Sequence, residues 1–389
     1  MSLENKWIRG AIPALLLHVC IGTVYCWSLL KDEIAQAIGS SVSSIEFAFS
    51  LAIFFLGMSA SFGGRFIEKN VKKASILSLI CFILGILGSV IAIFFKSVPL
   101  LFLFYGCLMG IGLGLGYLSP VKTLMIWFNK HKGLATGIAI SGFGLAKVLF
   151  SPFIVWCNKN YDIYTTLISI SCISLLSMSI ASYLIKKPEG WVEQTKKVKI
   201  LDTIKILFNP TYLAIWLIFY INITCGLALI SFEKNIAHNV GIENIGLLAA
   251  LTALFNALGR FGYSASSDYM KDKTWVYITI FATSIISLLL GITLFSWLCV
   301  TILLLVINAG YGGGFSTLPT LLQNRFGMSN ISMIHGFALS AWAWAGLSGN
   351  QLSNLILNYY NGTYITLFIV LGVMYSVALG ITFTILQKK

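Results

Sequence analysis

Charge is what this sequence has least of. Asp, Glu, Lys and Arg together supply 10% of its 389 residues, while 58% are hydrophobic; a water-soluble domain carries roughly 25% charged residues. A chain of this size lacks the polar cover that an exterior facing water on all sides needs, so lipid is the solvent for most of it. Cysteine pairs are also missing. The eight cysteines form no C-x-x-C, and most lie in apolar segments (Cys20, Cys26, Cys81, Cys107, Cys172, Cys225, Cys299). That excludes a zinc-ribbon reading and a disulfide framework, and leaves them as small hydrophobes. No H-E-x-x-H, G-x-S-x-G or P-loop is present, which argues against metalloprotease, serine hydrolase and ATP-driven pump alike. Gly110, Gly112, Gly114 and Gly116 have G-x-G spacing, but no strand precedes them and no acid follows about 20 residues on. They suit close approach of membrane helices. Neither a metal nor a cofactor is called for.

Long apolar runs are abundant, and the mean hydropathy is +0.88. A span needs about 20 apolar residues to cross some 30 Å of hydrocarbon. Such segments recur at 9–30, 44–64, 74–95, 99–128, 133–157 and 163–185, then at 210–232, 243–266, 274–295, 297–322, 333–357 and 362–386. The first lacks a signal-peptide cleavage pattern and is long enough to span, so it counts as a helix. The expected fold is an all-α membrane protein of twelve transmembrane helices in two six-helix half-domains, 1–185 and 210–389, joined by a cytoplasmic linker over 186–209.

The net charge of +13 could mark a nucleic-acid partner. Its distribution says otherwise, because the charges fall in short runs between apolar segments. With the N-terminus inside, 19 of the 26 Lys and Arg lie in cytoplasmic segments, and four lie outside (Lys31, Lys96, Lys159, Lys234). That is the bias of an inner (plasma) membrane protein with both termini cytoplasmic, Lys388 and Lys389 included.

The other three cations, Lys122, Lys147 and Arg260, fall within predicted helices. All 13 carboxylates read as loop or helix-end residues, which leaves these cations without an acidic partner. A charge at mid-bilayer costs about 2.5–3.5 kcal/mol on insertion scales and normally faces an aqueous path or a counter-charge. An anionic ligand is the obvious counter-charge. Arg260 has a fork suited to a carboxylate, Lys147 sits near mid-helix, and Lys122 lies close enough to a helix end to snorkel. Polar and aromatic side chains beside them read as pocket material: His18, Thr23, Tyr25, Trp27 and Ser28 on the first helix, Tyr117 on the fourth, Tyr220, Asn222 and Thr224 on the seventh, Asn308 and Tyr311 on the tenth. Gly312 to Gly314, ahead of Pro319, read as a place where the tenth helix bends.

These residues carry a resemblance. Gly22-Thr-Val-Tyr25-Cys-Trp27-Ser28 resembles the G-x-x-Y-x-W-S signature of the oxalate/formate antiporter family, which includes monocarboxylate carriers, within the major facilitator superfamily. Tyr117-Leu-Ser-Pro120, Trp127-Phe128 and Lys132-Gly133-Leu-Ala135-Thr-Gly137 are its most specific match. Pro188-Glu-Gly190-Trp191 resembles its linker. The resemblance covers essentially the whole chain and implies alternating access around a central cavity. It implies that Arg260, in Asn256-Ala-Leu-Gly-Arg260, coordinates a substrate carboxylate. At the family's helix-eleven lysine this chain has Trp342, which argues against simple oxalate exchange. The loop after the second helix keeps charges at Arg65, Glu68 and Lys69, and with Asp268 these form the expected gating cluster.

The expected function is secondary transport of a small organic anion, a monocarboxylate of the lactate, pyruvate or formate type, with protons as a possible coupling ion. Its binding residues would be Arg260, Lys147, Lys122, Tyr25, Tyr117, Trp27, Asn256 and Trp342. Two rivals are a carrier of neutral or drug-like solutes, which requires the three cations to be structural, and a non-transporting membrane sensor. An enzyme is the weakest reading.

Overall fold

The computed structural model describes residues 6–191, 205–328, 331–359 and 363–387. Thirteen helices account for nearly all of them: α1 (Trp7–Ile38), α2 (Val42–Lys69), α3 (Val71–Phe94), α4 (Val98–Trp127), α5 (Lys132–Asn160), α6 (Ile163–Leu184), α7 (Pro210–Asn239), α8 (Ile245–Tyr269), α9 (Thr274–Thr293), α10 (Trp297–Phe326), α11 (Ile331–Ala338), α12 (Ser340–Tyr359) and α13 (Tyr364–Leu386). No strand occurs among the described residues.

Eleven of these helices are long and apolar enough to cross a membrane. The twelfth predicted span, 333–357, is a pair of shorter helices, α11 and α12, interrupted at Leu339. Ser340, Ser348, Gly349, Gln351 and Ser353 dilute the apolar character of α12, yet both pieces pack along α2. Bundle contacts, more than apolarity, hold this segment in place.

Turn chemistry sets the helix starts. Ser41 accepts a hydrogen bond from Ser44 N at 3.2 Å, Asn70 from Lys73 N at 3.0 Å, Asp162 from Thr165 N at 2.7 Å and Asn244 from Leu247 N at 2.9 Å. Each side chain satisfies a backbone donor that the first helical turn leaves free. Two more local features aim side chains at the site. α1 tightens to a 3₁₀ turn over Gly22–Cys26, which changes the rotation of Tyr25 and Trp27 relative to the helix before it. α10 runs unbroken through Gly312 and Pro319; a Cβ on Gly312 would lie 2.2 Å from Asn256 O. That glycine lets α10 and α8 touch backbone to backbone.

Within the bundle α8 packs on α10 and also crosses to α5, while α2 packs on α4 and also crosses to α11 and α12. Helices before and after the central segment are therefore joined along two seams. Residues 192–204 of the expected linker, and Lys388 and Lys389, lie outside the described residues.

Candidate functional site

The helices alternate in direction, so their ends form two faces. One face carries the α1–α2 and α7–α8 turns, the other the α4–α5 and α8–α9 turns. A cavity of about 180 Å³ lies between the seams and opens towards the first face. Near its mouth stand Lys31 and Glu46, paired at 2.9 Å. Its wall includes Trp27, Lys147, Glu233 and Thr252, and its deeper part Tyr25, Asn256, Asn308 and Tyr311.

Of the expected site residues, Tyr25, Trp27, Lys147 and Asn256 line this cavity. Arg260 lies behind it, fully buried. Its Nε donates to Asn256 Oδ1 at 2.8 Å, and its guanidinium carbon stands 5.2 Å from the Phe315 ring centre and 5.6 Å from that of Phe143. Neither Nη atom has a hydrogen-bond partner among the described residues. A buried donor left unsatisfied costs about 1–3 kcal/mol, and more when charged, so a group in this position needs an acceptor from elsewhere.

Tyr117 and Trp342 form a layer in the interior and do not line the cavity. Their rings are 5.6 Å apart, and Trp342 stands 4.4 Å from Phe315 and 5.8 Å from Phe143. His18 approaches Tyr117 at 5.3 Å. Tyr117 Oη and Trp342 Nε1, like the Arg260 Nη atoms, have no hydrogen-bond partner among the described residues. Phe143 and Phe315, which clamp the guanidinium, carry no polar signal that sequence reading could have found.

Two expectations are corrected here. Lys122 lines no part of the cavity. It is buried on α4 facing Ile331, Ser332 and His335, because its place on the helix turns it towards α11. And the carboxylates are not all outside the helices. α7 continues to Asn239 instead of ending at 232, which places Glu233 inside it, 8% exposed and on the cavity wall. Thr252 Oγ1 donates to Glu233 Oε1 at 2.7 Å. The run Phe232-Glu-Lys-Asn looks like a loop in sequence, which is why the buried acid was missed.

The opposite face is closed. Asp268, at the end of α8, accepts from Gly133 N at 2.7 Å and Leu134 N at 2.8 Å. A carboxylate set on the N-terminus of α5 joins two bare donors and favours the positive end of the helix dipole. Ser264 Oγ donates to Gly133 O at 2.8 Å and pairs with Thr136 Oγ1 at 2.7 Å. On the second seam Ser61 Oγ donates to Gly336 O at 2.9 Å. Arg65 and Lys69 are exposed and enter no ion pair among the described residues, and the Glu68 side chain lies outside them. Among the described side chains of the expected gating cluster, Asp268 makes the gate contact across the helices, to backbone.

A cavity between two seams, open at one face and sealed at the other, is the architecture of a membrane transporter. Residues 14–350 match the Major Facilitator Superfamily, and the chain belongs to that superfamily. It is a multi-pass membrane protein and a transporter, not an enzyme. Among relatives it is 24% identical over 363 residues to the oxalate:formate antiporter of Oxalobacter formigenes, covering 91% of this chain and 85% of that one. It is 26% identical over 344 residues to the uncharacterized MFS-type transporter YhjX of Escherichia coli K12, covering 86% and 84%. Among solved structures, the transporter FucP in its outward conformation superposes with a TM-score of 0.75 at 13% identity, covering 99% of this chain and all of that one.

Proposed function

We propose that this transporter carries a small carboxylate, a monocarboxylate of the lactate, pyruvate or formate type. The observation that carries the reading is Arg260: a fully buried guanidinium, clamped by two phenyl rings, whose Nη atoms find no acceptor among the described residues. A carboxylate supplies two acceptors in the geometry of that fork. Lys147 on the cavity wall adds positive potential along the way in, and Tyr25, Tyr117 and Trp342 offer donors on either side of the guanidinium. The cavity's size points the same way. At about 180 Å³ it holds a molecule of a few heavy atoms, well below the roughly 300–1,000 Å³ of drug-sized pockets. The Oxalobacter relative is an oxalate:formate antiporter, which supports this substrate class.

In this reading the α4–α5 face, with its excess of Lys and Arg, is the cytoplasmic face of a plasma-membrane protein. The cavity then opens outwards, and the Asp268 contact seals the inside. In this reading residues 1–185 and 210–389 rock as half-domains, breaking one seal as the other forms. Replacing Arg260 with Gln tests the assignment. Carboxylate uptake should be lost while the protein still inserts and purifies as a folded monodisperse species; normal uptake would refute it.

A further inference from the structure

We propose that Glu233 is the proton-carrying site of this transporter, taking up a proton when the substrate anion engages Lys147 on the same cavity wall. This rests on the carboxylate reading above. The cavity wall holds one buried carboxylate and one buried-facing ammonium, from opposite halves of the chain: Glu233 on α7 and Lys147 on α5. Both side chains line the same cavity, and no direct ion pair joins them among the described residues.

The surroundings leave Glu233 free to change charge state. Thr252 Oγ1 donates to it at 2.7 Å, and a hydroxyl can as well accept from a protonated carboxyl, because it rotates to suit. The other charged groups on the cavity are Lys31 and Glu46, which neutralise each other at 2.9 Å, while Tyr25 and Tyr311 share a hydrogen bond. Lys234 and His238 on α7, with Tyr364 on α13, line a separate surface recess. Lys147 is therefore the cation whose engagement decides the state of Glu233.

Charge balance then couples the two ligands. Empty, the site holds Glu233 as carboxylate and Lys147 as ammonium. When a substrate carboxylate settles between Arg260 and Lys147 and takes over the attraction of Lys147, Glu233 is left buried as an unpaired anion, which burial disfavours. A proton from the aqueous cavity binds a Glu233 Oε atom and restores the balance. One anion and one proton enter together, and the net charge of the loaded site equals that of the empty one. The site crosses the membrane in both states without moving extra charge against the membrane potential. On the opposite side the proton and the anion leave together, and Glu233 is a carboxylate again.

The test uses proteoliposomes and labelled lactate, pyruvate and formate in parallel, with protein-free vesicles subtracted. Wild type should accumulate its acid about tenfold per unit of inward proton gradient, since one unit is a tenfold ratio of protons, and an imposed membrane potential should change this little. Glu233→Gln should keep exchange of labelled for unlabelled acid but lose the gradient-driven accumulation, falling to about one. Wild type taking up none of the acids overturns the carboxylate reading and this proposal with it. Wild-type uptake that Glu233→Gln reproduces, gradient dependence included, overturns the proposal alone. Should the Gln variant lose exchange as well, Glu233→Asp decides. The proposal requires it to keep gradient-driven uptake with a displaced pH profile, and an unchanged profile or lost coupling overturns it.

Discussion

The hydroxyls of Tyr25 and Tyr311 lie 3.0 Å apart and join α1 to α10 at the floor of the cavity. Both rings line the cavity, whereas Arg260, behind them, is fully buried. In the proposed reading the pair stands beside the route from the open cavity to the guanidinium, and a substrate that reaches Arg260 parts it. One hydrogen bond contributes about 0.5–1.5 kcal/mol net, a barrier that a charge-paired ligand outweighs.

The two tyrosines should not be equivalent. Tyr311→Phe removes only the bridge and should change the uptake KM less than tenfold. Tyr25→Phe removes in addition a hydroxyl beside Arg260 and should raise KM more. Equal effects, read from concentration series of uptake in proteoliposomes, would show that Tyr25 serves the bridge alone.

Arg260 should not tolerate lysine. Lysine keeps the charge but loses the planar fork, and a buried charged hydrogen bond is worth about 2–5 kcal/mol when one partner is truncated. Arg260→Lys should lower kcat/KM for carboxylate uptake by roughly 30-fold or more. Retained wild-type uptake would mean that any cation suffices there.

Asp268→Asn removes the charge from the contacts to Gly133 N and Leu134 N. With a loss of about 1–2 kcal/mol, the opening equilibrium at that face should shift roughly 5- to 30-fold towards open. The rate at which a cysteine at Ser264 is alkylated, in a background with the native cysteines replaced, reads this directly. An unchanged rate would assign the seal to the Ser61 seam.

Gly133 is a steric test of the same seal. A Cβ there would lie 2.0 Å from Ser264 O, a backbone atom on the other side of the seam, whereas a Cβ on Gly262 meets nothing within 4 Å. Gly133→Ala should abolish net uptake by blocking closure, while Gly262→Ala should transport normally. Comparable behaviour of the two variants would show that this seam does not close during transport.

What the sequence disclosed follows from chemistry that survives without coordinates. Arg260 was legible because arginine within a 20-residue apolar run has few bland explanations, and Tyr25, Trp27 and Lys147 because they lie beside it in polarity and motif. Lys122 shows the limit: its polarity is as plain as that of Lys147, but rotation about the α4 axis turns it to α11, and no pattern along one helix reports that. Glu233 was hidden by a helix end, where polar residues look the same whether they continue a helix or leave it. The break at Leu339 lies in an apolar stretch and left no mark. Phe143, Phe315 and the amides of Gly133 and Leu134 act through shape and backbone, which one sequence does not display.

The most direct measurement of the central claim is saturable uptake of labelled lactate, pyruvate, formate and oxalate by the purified wild-type protein in proteoliposomes, alongside Arg260→Gln. The account predicts that at least one monocarboxylate is taken up saturably by wild type and not by the variant, with oxalate a poor competitor. Folded wild-type protein that takes up none of the four, or an Arg260→Gln variant that takes them up equally well, would contradict it.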